Sequence, residues 1–231
     1  MQFIEKNSFN VRSAVYHLKK QGFGPQFILF PMIHVGDRNF FVEVSQRLAQ
    51  CDLILAEGVA SKRAALLTSA YRIVRKVHRL DLITQYEMDT SKLKDKMVNA
   101  DMEPEDFDRQ YSTLPTLVRL QIFVLFPFFA LYLLLCGTRQ IIARELAVED
   151  LPSSEEILRN DVFEDFDNLI LDQRDSVLIH RLQELCDARN FDGRKIAVLY
   201  GAMHMRNITA FLVEKLRYQV SRAEWLTVFE L

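Results

Sequence analysis

Two short apolar segments separated by an amphipathic helix constrain the fold of this chain more than any other feature. FILFPMIHVG (27–36) is an apolar run followed by a polar turn, which predicts a buried strand closing at His34. Apolar residues then recur at helical spacing over 38–50. DLILAEG (52–58) predicts a second buried strand, which ends at Glu57. The crossover in such a β-α-β unit makes the two strands parallel.

The C-terminal part of the chain repeats this scheme. KIAVLYG (195–201) predicts a strand, His204 follows it, and 207–217 has a helical pattern. Aligning His34 with His204 matches PMIH to GAMH, a weak repeat of strand, histidine and helix. WLTVFEL (225–231) predicts an edge strand. We therefore expect an α/β fold with a central, mostly parallel sheet, flanking helices and two pseudo-repeated halves.

The length and composition suit one domain spanning 1–231. The chain has 231 residues and 49% hydrophobic content, enough for a sizeable core. Between the two halves, 61–150 is mostly helical in pattern, which predicts a large helical insertion within the domain. MEPEDFDRQ supports a helix there, because Pro104 stands early and acidic residues fill the first turn.

Two of the five histidines, His34 and His204, directly follow apolar strands. His17, His78 and His180 lie instead in segments with a polar or helical surface pattern. Ligands of parallel α/β sheets bind beyond the carboxyl ends of the strands. A lone strand-end histidine is commonly structural, but two in matching contexts indicate a functional site.

Glu57 and Arg174 are the candidate partners of these histidines. Glu57 closes an apolar strand, so an imidazole, an arginine or a metal ion should pair with it; a helix-capping carboxylate is the alternative. Arg174 is central in the apolar stripe of a helix predicted over about 163–188, where a guanidinium needs an anionic or carbonyl partner. Arg181 and Asp167 share that face, so a structural ion pair is the competing interpretation. Asp175, the residue after Arg174, points away from this apolar stripe.

The chemistry that these groups suit is hydrolysis of a peptide or small-molecule substrate. His34, Glu57 and His204 can hold a divalent metal ion (manganese, cobalt or zinc), which lowers the pKa of a bound water. Arg174 would stabilise negative charge on a carbonyl oxygen. Without metal, the same residues could act as an esterase-like hydrolase through general base catalysis. A membrane-associated peptide-binding or regulatory protein without catalysis is a further alternative.

The apolar run IFVLFPFFALYLLLC (122–136) bears on that last alternative. Its 15 residues fall short of the roughly 20 that a spanning helix needs, and Pro127 would kink the helix. One crossing would also separate the strand ends of the two halves. We therefore expect a helix buried in the core or at a homo-oligomer interface. Contact of 120–136 with a membrane surface is the first alternative, and a spanning helix is the remaining one.

Charge and cysteine usage suggest the compartment. The 29 basic and 31 acidic residues nearly cancel, giving a net charge of −2 and no argument for a nucleic-acid partner. Cys51, Cys136 and Cys186 form no CxxC pair, and their odd number fits a reducing compartment. The first twenty residues lack the apolar core of a secretory signal. We expect a cytoplasmic protein, peripheral to the membrane if the apolar run contacts lipid.

HVGDRNFFVEVSQRLAQCDLILAEGV, the pair Arg174–Asp175 and VLYGAMHMRNI together resemble the TraB/PrgY/GumN family, relatives of Tiki-type metalloproteases. The wider group includes erythromycin esterase-like and ChaN-like proteins. VNADMEPEDF resembles a stretch in the helical insertion of bacterial members. The resemblance covers most of residues 25–215, and its order of His, Glu, Arg and GxxH is moderately specific.

The resemblance implies a site made of two GxxH motifs, a glutamate and an arginine. By position these fall on His34, Glu57, Arg174 and the motif Gly201–His204. It implies metal-dependent peptide hydrolysis as one activity of the group, beside members that bind a peptide signal. This chain departs from the pattern in its first motif, where Pro31 replaces the glycine. Proline lacks glycine's backbone freedom, which puts close substrate approach at that strand end in doubt.

Overall fold

The structure, a computed structural model, describes residues 1–67, 77–146 and 168–231. The strands in these ranges are β1 (Ile4–Lys6), β2 (Asn10–Lys19), β3 (Gln26–Met32), β4 (Val35–Gly36), β5 (Leu53–Ala56), β6 (Ile83–Thr84), β7 (Met97–Asn99), β8 (Lys195–Gly201) and β9 (Gln219–Glu230). The α-helices are α1 (Arg38–Leu48), α2 (Lys62–Leu67), α3 (Pro104–Thr113), α4 (Thr116–Cys136), α5 (Arg139–Leu146), α6 (Gln173–Asp187) and α7 (Met205–Ala210).

The central sheet has a parallel part and an antiparallel part. Strands β3, β8, β5 and β7 are parallel neighbours in that order. Strand β2 pairs antiparallel with β3, with β1 and, along its other edge, with β9. The parallel direction predicted for β3 and β5 is confirmed, although β8 from the C-terminal part lies between them. Strand β9 is the predicted edge strand.

Side chains of β3 alternate between two apolar layers, as expected for a strand buried on both faces. Ile28 and Phe30 face the cluster that contains the buried side of α1. Phe27 and Leu29 face the cluster that contains the buried residues of α6 and α7. The fold is therefore a mixed α/β fold with a mostly parallel central sheet and flanking helices, as the sequence predicts.

Pro31 stands inside β3 without breaking the parallel ladder. The carbonyl of Pro31 faces β2, where the Ser13 hydroxyl donates to it at 2.6 Å. The nitrogen of a strand residue points to the same side as its carbonyl, so the missing N–H would also have faced β2. The ladder to β8, in which Pro31 lies opposite Tyr200, therefore loses no hydrogen bond.

The segment 61–150 is less uniformly helical than its sequence pattern indicates. Helix α3 begins at Pro104 with Glu105 and Asp106 in its first turn, as predicted. Strand β7, however, joins the central sheet beside β5, and β6 pairs with β4. These strands have three and two residues, too few for any periodicity to reveal them.

Helix α4 lies on the surface of the described chain, so the predicted core position of 122–136 is wrong. Ten of its large apolar side chains are exposed: Leu117, Leu120, Phe123, Val124, Leu125, Phe128, Leu131, Tyr132, Leu134 and Leu135. By length and composition alone, it is the one helix in the described ranges that is long and apolar enough to cross a membrane.

A matched pair of leucines tests this placement of α4. Leu133 is fully buried, whereas Leu135 is 66% exposed. We expect Leu133→Ala to lower the free energy of unfolding by about 2–5 kcal/mol and Leu135→Ala to change it by no more than about 0.5 kcal/mol. Urea denaturation measures both values. Equal losses in the two variants would contradict the placement.

Candidate active site at the carboxyl ends of the parallel strands

Ionisable residues follow all four parallel strands at the same edge of the sheet. Glu57 comes directly after β5, and Asp101 comes two residues after β7. His204 comes three residues after β8, and His34 comes two residues after β3. Because these strands are neighbours and run in the same direction, their carboxyl ends place the side chains in one region.

Arg174 on α6 lies at the centre of this region. Its Nε and Nη2 donate to the two oxygens of Asp101 at 2.9 and 2.6 Å, and Nη2 also donates to Glu57 Oε1 at 2.6 Å. Nη1 donates to the carbonyl of Ile170 at 3.3 Å. These contacts engage most of the guanidinium N–H groups, so the arginine orients Glu57 more directly than it could bind a substrate oxyanion.

Glu57 is also fixed by the end of β8. The backbone N–H of Gly201 donates to Glu57 Oε2 at 2.5 Å. A Cβ at position 201 would stand only 3.1 Å from the same oxygen and 3.5 Å from the His204 ring. Glycine at the start of the GxxH motif is therefore explained by the close approach of the carboxylate to the backbone.

His204 lies between two carboxylates. Its Nδ1 is 2.6 Å from Asp175 Oδ1, and its Nε2 is 3.6 Å from Glu57 Oε1. The Asn207 amide donates to the other oxygen of Asp175 at 2.6 Å. The Tyr200 ring packs edge-to-face with the imidazole of His204, with ring centroids 5.5 Å apart. Both the ring plane and the direction of Nε2 are thus fixed by neighbours.

These contacts move the pKa values of Glu57 and His204 apart. Burial would raise the pKa of Glu57, but the neighbouring imidazole of His204 and the charge of Arg174 outweigh it and hold that pKa well below its usual range. Burial would lower the pKa of His204, but the hydrogen bond to Asp175 and the nearby Glu57 carboxylate raise it to about 9. At neutral pH the pair is an imidazolium beside a carboxylate.

His34 lies at the neighbouring strand end and joins this network less directly. Its Nδ1 lies 3.1 Å from Gln85 Oε1, and its carbonyl accepts the backbone N–H of Gln85 at 2.9 Å. The charge of His34 contributes to the low pKa of Glu57, so the two side chains are close enough to interact electrostatically. The contacts do not place His34 in hydrogen-bond range of Glu57, Arg174 or His204.

The structure therefore brings together three of the four predicted site residues, Glu57, Arg174 and His204, and places His34 beside them. The helix-capping alternative for Glu57 does not describe its contacts. Arg174 forms ion pairs with Glu57 and Asp101, and Arg181 pairs separately with Glu184. Asp167, which shares the predicted face of Arg174, lies outside the described residues.

Sequence analysis missed Asp101 and misplaced Asp175. Asp101 follows a three-residue strand in a segment predicted to be helical, so no pattern marked it. Asp175 is buried on α6 together with Leu178, Leu182 and Leu185. These leucines follow it at i+3, i+7 and i+10, the spacing of one helix face, and that signal could have identified Asp175.

The residues fit the predicted divalent metal ion only in part. His204 Nε2 and Glu57 Oε1 are 3.6 Å apart, close to the roughly 3.4 Å between two ligands of one tetrahedral ion. The residues that the structure describes, however, include no group of three His, Cys, Asp or Glu side chains that could hold a metal ion. His34 would have to approach Glu57 and His204 to complete the set.

Arg174→Met tests the buried charge network. Loss of the guanidinium leaves Glu57 and Asp101 buried without their cation, so we expect the free energy of unfolding to fall by about 3–5 kcal/mol. The control is Arg181→Met on the exposed face of the same helix, where about 0–1 kcal/mol is expected. Chemical denaturation gives both values. Equal losses of unfolding free energy in the two variants would show that Arg174 contributes no more to stability than an exposed arginine does.

The proton on His204 gives a second test. Its pKa of about 9 in the folded protein exceeds the roughly 6.5 of an unfolded-chain histidine. Its contribution to stability is therefore complete below about pH 6.5 and is lost as the pH rises through about 9. Asp175→Asn should lower this pKa, because it removes the negative charge at Nδ1.

Imidazole resonances in an NMR pH titration report the pKa of His204 directly. The matched control is Asp172→Asn, an exposed aspartate three residues earlier, which should leave that pKa unchanged. A His204 that titrates near pH 6.5 in the wild type would rule out the charged pair.

Comparison of the chain with protein-family models, with curated proteins and with solved structures finds no match.

Proposed function

We propose that this chain is a hydrolase of a carbonyl-containing substrate, a peptide or a small molecule. In this proposal the side chains of His204 and Glu57 contact the reacting atoms. Arg174, itself held by Asp101, positions Glu57, and Asp175 positions His204. The observation that carries the proposal is His204 held between Asp175 and Glu57, with Nδ1 fixed at 2.6 Å and Nε2 3.6 Å from Oε1. Neighbouring acid and base groups whose pKa values are pushed apart are typical of catalytic sites.

The two groups can divide the work of moving protons. The imidazolium of His204 can donate a proton from Nε2 to a carbonyl oxygen or a leaving group. The Glu57 carboxylate can accept a proton from an attacking water, although its low pKa makes it a weak base on its own. Arg174 and the Gly201 N–H hold that carboxylate still, so its orientation does not depend on the substrate.

The predicted metal-dependent form uses the same residues in another protonation state. A manganese, cobalt or zinc ion held by His34, Glu57 and His204 would supply a bound water of lowered pKa. His204 would then bind as a neutral imidazole, so the ion competes with the proton that the pKa of about 9 keeps on the ring. Asp175 suits this role as well, because a carboxylate at Nδ1 orients a ligating histidine.

We also infer that the two halves are pseudo-repeats and that 61–150 is an insertion in one domain. Two features support the repeat: the adjacent parallel strands β3 and β8 both lead to a histidine, and a helix follows each. A separate apolar cluster around α3 and the first half of α4 supports the insertion.

Hydrolysis of a panel of peptides and esters, with and without added manganese, cobalt or zinc, tests the proposal. We expect His204→Gln to lower the rate at least about 100-fold, because it removes the proton donor or ligand. His180→Gln is the control, since His180 is exposed and outside the site. A His204→Gln variant that folds and keeps every activity of the wild type would leave the proposal without support.

Metal content, measured by elemental mass spectrometry, separates the two forms. The metal-dependent form predicts near-stoichiometric metal in the wild type and its loss in the double variant His34→Ala/His204→Ala. The metal-free form predicts activity that survives a chelator and falls above about pH 9, where His204 loses its proton. A protein without either property would fit the binding or regulatory alternative.

A further inference from the structure

Helix α4 presents the most extensive apolar surface among the residues that the structure describes. Its ten exposed large apolar side chains run from Leu117 to Leu135. Its fully buried side chains form a narrow stripe along the opposite side: Val118, Ile122, Ala130 and Leu133. An exposed apolar surface of this extent marks an interaction site.

Both halves of α4 are attached to the body of the protein. The first half packs through Val118 and Ile122 into the cluster around Phe107 and Leu169. The second half packs through Leu133 into the cluster on the α1 side of the sheet. From Val118 to Leu133 the axis runs about 22 Å along the protein. A helix attached in this way could not cross a bilayer without taking the sheet and its charges with it.

Hydrogen bonds at the end of α4 strengthen this attachment. Arg79 donates to the carbonyls of Leu135 and Gly137, both at 3.1 Å, and so caps the C-terminal turn. Arg139, at the start of α5, donates to the carbonyl of Leu80 and to Asp37, both at 2.9 Å. The exposed side of α4 is therefore held as a fixed ridge.

The chemistry of this ridge suits lipid better than a protein partner. Between Ile122 and Cys136 the hydroxyl of Tyr132 is the one oxygen or nitrogen that any side chain carries. Protein interfaces usually contain about one hydrogen bond per 100–200 Å² and a polar rim. Acyl chains require no hydrogen bonds, so a surface of Phe, Leu and Val is complete as it stands.

Charge around the ridge favours an anionic lipid surface. Residues 110–144 contain no Asp or Glu, and Arg119 supplies a positive charge in the first turn of α4. Arg79 adds a positive charge at the C-terminal end, where its hydrogen bonds go to neutral carbonyls. When an apolar helix lies in the membrane plane, arginines at its two ends can contact the lipid headgroups next to those ends.

We propose that α4 docks in the plane of an anionic bilayer surface, with its exposed side among the acyl chains and Arg119 and Arg79 at the headgroups. The proposal does not rest on hydrolysis, because no catalytic residue takes part in docking. It does place the site near the membrane. Met102, which follows Asp101, belongs to the same cluster as Val118 and Ile122.

Co-sedimentation of the full chain with phosphatidylglycerol-containing vesicles tests the apolar part. Phe128 is 66% exposed on α4, so Phe128→Glu should weaken binding at least about tenfold. Phe23→Glu is the matched control, because Phe23 is 79% exposed on a loop elsewhere. It should bind as the wild type does. Leu133 is unsuitable for this test, since a charge in its buried position would disturb folding.

The same assay with Arg119→Gln tests the charge. We expect about fivefold weaker binding to phosphatidylglycerol vesicles and no change on phosphatidylcholine alone. Arg109→Gln is the control, since Arg109 is exposed on α3 and pairs with Asp106.

Alkaline carbonate should also release the bound wild type from the vesicles, as it does for a protein that lies on a membrane surface.

Three results would overturn the proposal. The first is sedimentation that Phe128→Glu and Phe23→Glu affect equally, or no sedimentation of the wild type. The second is resistance to carbonate, which would indicate a spanning helix. The third is a stable dimer in solution that Phe128→Glu disperses, which would show that a second copy covers the ridge.

Discussion

A guanidinium held between two carboxylates, Arg174 between Glu57 and Asp101, ties α6 to the ends of β5 and β7. A backbone N–H at the end of β8 holds the same glutamate, and the next residue of α6 holds His204. Each charge at this edge is therefore compensated by a group from another element. Apolar residues of similar volume commonly match or exceed such networks in stability, so stability alone does not account for it. A buried charge network that stability alone does not require is an argument for function.

His204 has two uses that exclude each other. As an imidazolium it is stabilised by both neighbouring carboxylates, and its pKa of about 9 corresponds to roughly 3 kcal/mol relative to an unfolded-chain histidine. A metal ion would have to exceed that stabilisation before it displaced the proton. The ion would in turn interact with the same carboxylate, Glu57, and would also require His34 to approach. The protonation state of one residue thus separates the two hydrolytic mechanisms.

Strand ends were predictable from the sequence because each buried strand is a short apolar run that stops at a polar residue. This pattern predicts that Glu57 and His204 lie at one edge of the sheet. Asp101 was not predictable, because a three-residue strand gains its position only from pairing with β5. The orientation of Asp175 was missed for a different reason. A π-helical turn, Asn168–Asp172, precedes α6. Its extra residue turns the following helix face by about 100° relative to a regular α-helix.

Apolar composition alone does not determine where α4 lies in the protein. Fifteen apolar residues in a row fit a core helix, an interface or a membrane contact equally well, because all three require burial of the same side chains. Attachment at both ends excludes the core position, because the body covers one stripe of α4 and leaves the other sides open. Through Val118 and Ile122 that stripe belongs to the cluster that contains Met102, the residue next to Asp101. The same apolar cluster therefore links the buried side of α4 to the segment after β7, where Asp101 belongs to the charged site.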